Sequence, residues 1–160
     1  MLSGKLIHLI EAHQEQITAR VLAQILEDPE LTHIRSLPQM ELREWGQHIL
    51  ENLGDWLVRA KEDELAHRYQ ELGRIRFDEG VPLYEAVRGL FLLKYKMIDF
   101  VKEQGLAKTS VDLYAEEEME LRVGRFFDLL AVYLVRGYEK ALRRAAHLGA
   151  TAVNHAAATS

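Results

Sequence analysis

Arg125-Phe126-Phe127-Asp128-Leu129-Leu130-Ala131-Val132-Tyr133-Leu134-Val135-Arg136 holds the most apolar window of the chain, and its reading decides the fold. From Phe126 to Val135 it is far shorter than the about 20 residues a membrane-spanning helix needs, and Asp128 interrupts it. A strand is a poor alternative, because the chain has no run of alternating β-branched residues and no Asn-Gly or Asp-Gly hairpin signal. The stretch therefore predicts a buried core helix. Thr109-Ser110-Val111-Asp112 supplies a capping signature ahead of it, and the helix is expected from about Val111 to about Ala146.

Upstream the periodicity is also helical. Leu6, Ile10, His13, Ile17, Val21 and Ile25 step by three and four and draw one stripe on a single first helix, which Pro29 ends. Ser36-Leu37-Pro38-Gln39 reads as a capping box opening a second helix that buries Leu42, Trp45, Ile49, Leu53, Trp56 and Leu57. A break is expected near Lys61 to Asp63. A shorter third helix carries Leu65, Tyr69, Leu72 and Ile75, with Gly80 as its left-handed stop. Pro82 opens a fourth, striped by Leu83, Val87, Leu90, Met97 and Val101 and widened by Phe91, Leu93, Tyr95 and Phe100; Gly105 ends it. The fold class is all-α, five or so helices in a bundle with a long C-terminal helix. Residues 1–146 form one domain, and 147–160 read as a flexible Ala-rich tail or linker.

The bulk properties narrow the function. The 160 residues suit one domain. A net charge of −5 disfavours nucleic acid and anionic membrane as partners, since both want a basic face. The absence of cysteine removes disulfides, thiolate metal sites and cysteine nucleophiles together, and fits a cytoplasmic setting; no export signal is visible.

Candidate chemistry is sparse. Glu30/His33 and Glu64/His67 repeat the Glu-x-x-His spacing of carboxylate-bridged di-iron bundles, but the first pair follows Pro29 in a connector and the other helical stripes are apolar, so no metal is expected. Haem needs an axial ligand facing an apolar pocket; His13, His48 and His67 are the candidates, and the last two lie off the main stripes. His13 sits on the first stripe, where a core or interface histidine is the plainer reading and a ligand or pH-sensing role the sharper one. No Gly-x-Ser-x-Gly, Gly-rich phosphate loop or dinucleotide fingerprint supports an enzyme. The chemically unusual segment is Glu71 to Leu83, two arginines, two glycines and several acids at a helix–helix junction. It reads either as a structural corner or as a polar patch for a partner or ligand, made of Arg74, Arg76, Glu79, Glu85 and Arg88.

The same segment carries a family resemblance. Gly73-Arg74-x-Arg76-x-x-x-Gly80-Val81-Pro82-Leu83, then Ala86-x-x-Gly89-Leu90, resembles the signature of the RsbRD-type N-terminal domain, the sensory domain of stressosome co-antagonist proteins, found also ahead of bacterial histidine kinases. His13-x-x-x-Ile17, Asp28-Pro29-Glu30-Leu31 and Arg35-Ser36-Leu37-Pro38 resemble it too, so that the match spans about residues 5 to 102. Phe126-Phe127-Asp128 to Arg136-Gly137-Tyr138-Glu139 resembles the closing helix. The resemblance implies a globin-like, non-enzymatic sensory domain without obligatory haem, commonly dimeric, upstream of a signalling output; a haem- or small-ligand-binding globin-like sensor is the alternative. The chain ends near Ser160 with no STAS, kinase or DNA-binding module, so the output is expected on a partner or on a domain that has been cut away. Because the two longest helices are apolar on more than one face, a homodimer is expected, with Phe126, Leu130, Tyr133 and Leu134 in its interface.

Overall fold

The structure, a computed structural model, describes residues 2–59 and 61–159. Met1 and Ser160, the ends of the expected domain and tail, lie outside the described residues. Six α-helices and no strand occur among the described residues: α1 (Leu2–Ala12), α2 (Gln14–Glu27), α3 (Gln39–Arg59), α4 (Glu62–Asp78), α5 (Leu83–Glu103) and α6 (Ser110–Thr159), with a 3-10 turn at Ile34–Ser36. No described helix is long and apolar enough to cross a membrane.

The expected first helix is two helices. His13 leaves helical geometry with φ −121° and ψ 26°. Its Nδ1 donates to the Leu9 carbonyl at 2.9 Å, the acceptor that a continuing helix would give to the His13 backbone N–H. That N–H falls back on Ile10 O at 3.3 Å. The apolar stripe survives the break, because Leu6, Ile10, Ile17, Val21 and Ile25 all remain buried.

The expected capping box at Ser36 does not form. Ser36 belongs to the 3-10 turn and its hydroxyl donates back to His33 O at 2.6 Å. The cap at Thr109 does form, and reciprocally: Thr109 Oγ1 accepts from Asp112 N at 3.1 Å and Asp112 Oδ2 accepts from Lys108 N at 3.1 Å. The α3–α4 break falls where expected, and Gly80 (φ 73°) and Gly105 (φ 59°) take the left-handed conformation at the ends of α4 and α5.

α6 is the spine of the domain. α4 lies along it in the most extensive contact of the fold; α5, α1 and α3 cover other sides of its first half. α2 packs between α3 and α5. One continuous core results, centred on Phe100, Phe126 and Phe127 and lined by Leu6, Ile17, Leu50, Leu53 and Leu90. Past Ala141 every described residue of α6 is exposed, yet the helix continues to Thr159. The segment expected to be a patternless tail is thus a helical overhang.

Candidate functional site: the α4–α5 corner and the apolar face beside it

The corner is fixed by backbone. Val81 N donates to Arg76 O and Gly80 N to Phe77 O, both at 3.0 Å, the paired bonds that close a helix on a left-handed glycine. Tyr138 of α6 ties the turn down from below: its hydroxyl donates to Val81 O at 2.8 Å and its ring meets Phe77 edge-on at 5.5 Å.

The five residues expected as one polar patch are divided among three arrangements. Arg74 points outward and pairs along its own helix with Glu71 and Asp78. Arg76 is buried at 2% exposure, and its Nη1 bridges Glu79 (2.9 Å) and Glu41 of α3 (3.3 Å). Burial pushes the Glu79 carboxyl above its ordinary range; the nearby Arg76 charge opposes this and the Glu41 carboxyl adds to it. Glu85 and Arg88, one turn apart on α5, face the 28–38 connector instead. Asp28 is buried and accepts from Glu30 N at 2.9 Å and from Arg88 Nε at 2.9 Å. The backbone N–H first, then the guanidinium, hold its carboxyl below the usual value. Glu85 is buried too; it accepts from His33 N at 3.0 Å and lies 2.8 Å from His33 Nδ1. Tyr84 donates to Glu30 at 2.6 Å. Three polar couples therefore pin the connector to the first turns of α5. Glu30 and His33, which share the Glu-x-x-His spacing, are both engaged there, and among the described residues no group of three or more His, Asp or Glu side chains is placed to hold a metal ion.

His13 sits at the α1–α2 joint, half-buried, with its ring 5.3 Å from Phe100. His48 is exposed, and His67 lines a polar groove with Arg74, Lys140 and Arg144.

The side chains expected at a dimer interface are inside the protomer. Phe126 and Leu130 are fully buried and Leu134 and Tyr133 nearly so. Phe126 packs on Trp56 of α3 at 6.2 Å, and Tyr133 donates to Glu62 at the start of α4. These four side chains are inside because α1, α3, α4 and α5 all pack against α6. The apolar surface left exposed lies elsewhere. A groove between α5 and α6 is lined mainly by Leu83, Val87, Phe91, Leu92, Tyr95 and Val135, with Tyr84 and Arg88 also in its wall. Tyr95 is 56% and the neighbouring Val132 53% exposed, too much for core residues and too apolar in company for ordinary surface. The sequence signal was the breadth of the apolar stripe on α5; which residues stayed uncovered depended on the packing.

Residues 15–153 match the family described as the RsbT co-antagonist protein rsbRD N-terminal domain. The chain belongs to this family. It is a regulatory, stressosome-related family and not a known class of enzymes. No match was found among curated proteins or among solved structures.

Proposed function

We propose that this RsbRD-type domain is a non-enzymatic, cytoplasmic regulatory module that acts as a homodimer on a signalling output and works without haem. The observation that carries the reading is the uncovered apolar face of α5 and α6. From Val135 the exposed side of α6 continues in steps of three and four through Leu142, Ala146, Gly149 and Val153, interrupted only by Glu139. That repeat is the seam by which parallel helices pair. It runs on where nothing of the same chain covers it, and a second copy presents the identical seam across a two-fold axis. A small shift between two paired α6 helices would reach whatever they carry or touch at their C-terminal ends. Against haem stands the placement of the histidines: His13 is committed to Leu9 O, and His48 and His67 face solvent or a polar groove.

Sedimentation equilibrium at micromolar concentration tests this. The wild-type chain is expected at twice its 18.4 kDa protomer mass, and Tyr95→Glu is expected as a folded monomer. A wild-type monomer whose mass does not rise with concentration overturns the dimer. A Soret band in protein purified with haem available, lost in His13→Ala, overturns the haem-free reading.

A further inference from the structure

We infer that the surface for a second copy reaches from the α5–α6 groove to the 28–38 connector, and that Tyr84 and Arg88 make pairing of the chains and the hold on the connector support each other. The inference rests on the homodimer proposed above. The first turns of α5 are shared between two neighbours. Glu85 and Gly89, one turn apart, face the connector: Glu85 accepts from His33 N at 3.0 Å, and a Cβ on Gly89 would stand 3.2 Å from Ile34 Cδ1. Val87, Phe91 and Tyr95 face the groove. Tyr84 and Arg88, also one turn apart, serve both sides. Each lines the groove. Each also holds the connector, Tyr84 through its hydroxyl on Glu30 at 2.6 Å and Arg88 through its Nε on Asp28 at 2.9 Å, with Arg88 Nη1 3.6 Å from Glu30.

The groove is otherwise apolar, so Arg88 brings a charge into its wall. Tyr84 is 54% exposed and the Arg88 side chain 40%, so a chain seated on the groove takes water from both. A guanidinium tolerates that cover only while its charge is paired. Asp28 supplies the pairing from the connector side. It is buried, and its other oxygen accepts from Glu30 N at 2.9 Å, so it is in place before a second copy arrives. With the connector displaced, Arg88 would enter the contact as an unpaired cation and the Tyr84 hydroxyl would lose its acceptor. Conversely, a chain lying over Tyr84 and Arg88 excludes the water that competes for these bonds and fixes both side chains in the geometry that grips the connector. Each event favours the other, and thermodynamic linkage makes the coupling equal in both directions. The occupant is a second copy because Val135, in the wall of the groove, also begins the exposed seam that continues through Leu142 along α6.

Hydrogen exchange of the full chain, above and below its dimer dissociation constant, reads one direction. Amides of the 28–38 connector, the Glu30 and His33 amides in particular, are expected to exchange several-fold faster in the dilute monomer, while the α1–α2 joint at His13 stays unchanged. Sedimentation across a concentration series reads the other direction. Asp28→Asn and Glu30→Ala alter the connector and leave the lining of the groove intact, yet each is expected to raise the dimer dissociation constant about fivefold or more. Glu117→Gln, an exposed acid at the start of α6, is expected to leave it unchanged. Should Asp28→Asn fail to fold, the exposed Glu30 decides through Glu30→Ala. A wild-type dimer whose connector exchanges equally at both concentrations, or whose dissociation constant is the same in Glu30→Ala, overturns the coupling and leaves the dimer standing. A wild-type chain that stays monomeric overturns both.

Discussion

Gly73 of α4 and Gly137 of α6 lie at a crossing where each glycine is pressed against the other helix's backbone. A Cβ on Gly73 would stand 2.7 Å from Tyr138 N and closer still to Leu134 O; one on Gly137 would stand 2.6 Å from Gln70 Cα and overlap its carbonyl. Neither glycine is needed for its own helix, and both weaken it; they are there because the partner backbone occupies the space of a side chain. The close approach lets Tyr138 reach the Val81 carbonyl and sets the corner that leads into α5.

Gly137→Ala is therefore expected to destabilise the domain by about 3 kcal/mol or to prevent folding, since rigid backbone cannot move aside as a side-chain tip can. Gly124→Ala on the same helix, where the added carbon meets nothing within 4 Å, is expected to raise stability by about 0.5–1 kcal/mol. Urea unfolding of the two variants checks the pair; a Gly137→Ala protein as stable as wild type would refute the crossing.

Arg76 gives the second prediction. Its guanidinium is buried and bridges two helices through Glu79 and Glu41. Removing it leaves the partly buried Glu79 without its cation. Arg76→Ala is expected to cost about 2–4 kcal/mol, against about 0.5 kcal/mol or less for a typical surface change. Arg74→Ala, two residues away but paired only along the helix surface, is the contrast and is expected to stay near wild type in thermal melts.

These two helices also show what the sequence carried and what it did not. Capping residues are local, so Gly80, Gly105 and the Thr109–Asp112 box were legible before any packing was known. Ser36 misled because its hydroxyl had a nearer acceptor in His33 O. The stripe from Leu6 to Ile25 has one period, and nothing in that period says that the His13 side chain takes the carbonyl its own backbone needs. Gly73 and Gly137 lie more than sixty residues apart, and their meeting depends on how α4 crosses α6. The same dependence hid which apolar side chains stay exposed: the apolar breadth of α6 was visible, but which side α1, α3, α4 and α5 would cover was not.

Two carboxyls give opposite pH dependences. The Asp28 carboxyl is held below its ordinary 3.8, so the fold prefers its ionised form. Its contribution is complete above the unfolded value and is lost as pH falls through the lowered one. The Glu79 carboxyl is raised above 4.5, so the fold prefers it protonated; its contribution is present below 4.5 and lost as pH rises through the raised value. Denaturant midpoints measured across the acid range should show a shallower acid limb in Asp28→Asn, once the overall loss is subtracted. In Glu79→Gln the decline on the higher-pH side of 4.5 should flatten. Unaltered profiles in both variants would remove the assignment.

The overhang of α6 is expected to matter to assembly and not to folding. Residues 145–159 are exposed along their whole length and contribute nothing to the buried core. Deleting them is expected to shift the melting midpoint of the protomer by less than about 2 °C, the thermal equivalent of a stability change of about 0.5 kcal/mol in a chain of this size. Assembly should respond differently. If Ala146, Gly149 and Val153 extend the seam that starts at Val135, the deletion removes its outer half, and the dimer should dissociate at lower dilution while remaining folded. Val153→Asp in the full chain should have the same effect in smaller measure, because a charge in a helix seam must be desolvated on pairing. Thr151→Ala, on the same overhang but off the seam, should leave the dimer intact. Sedimentation across a concentration series reads all three. A deletion that melts the domain would show that the overhang belongs to the fold, whereas a folded deletion with an undiminished dimer would place the whole interface on the α5–α6 groove.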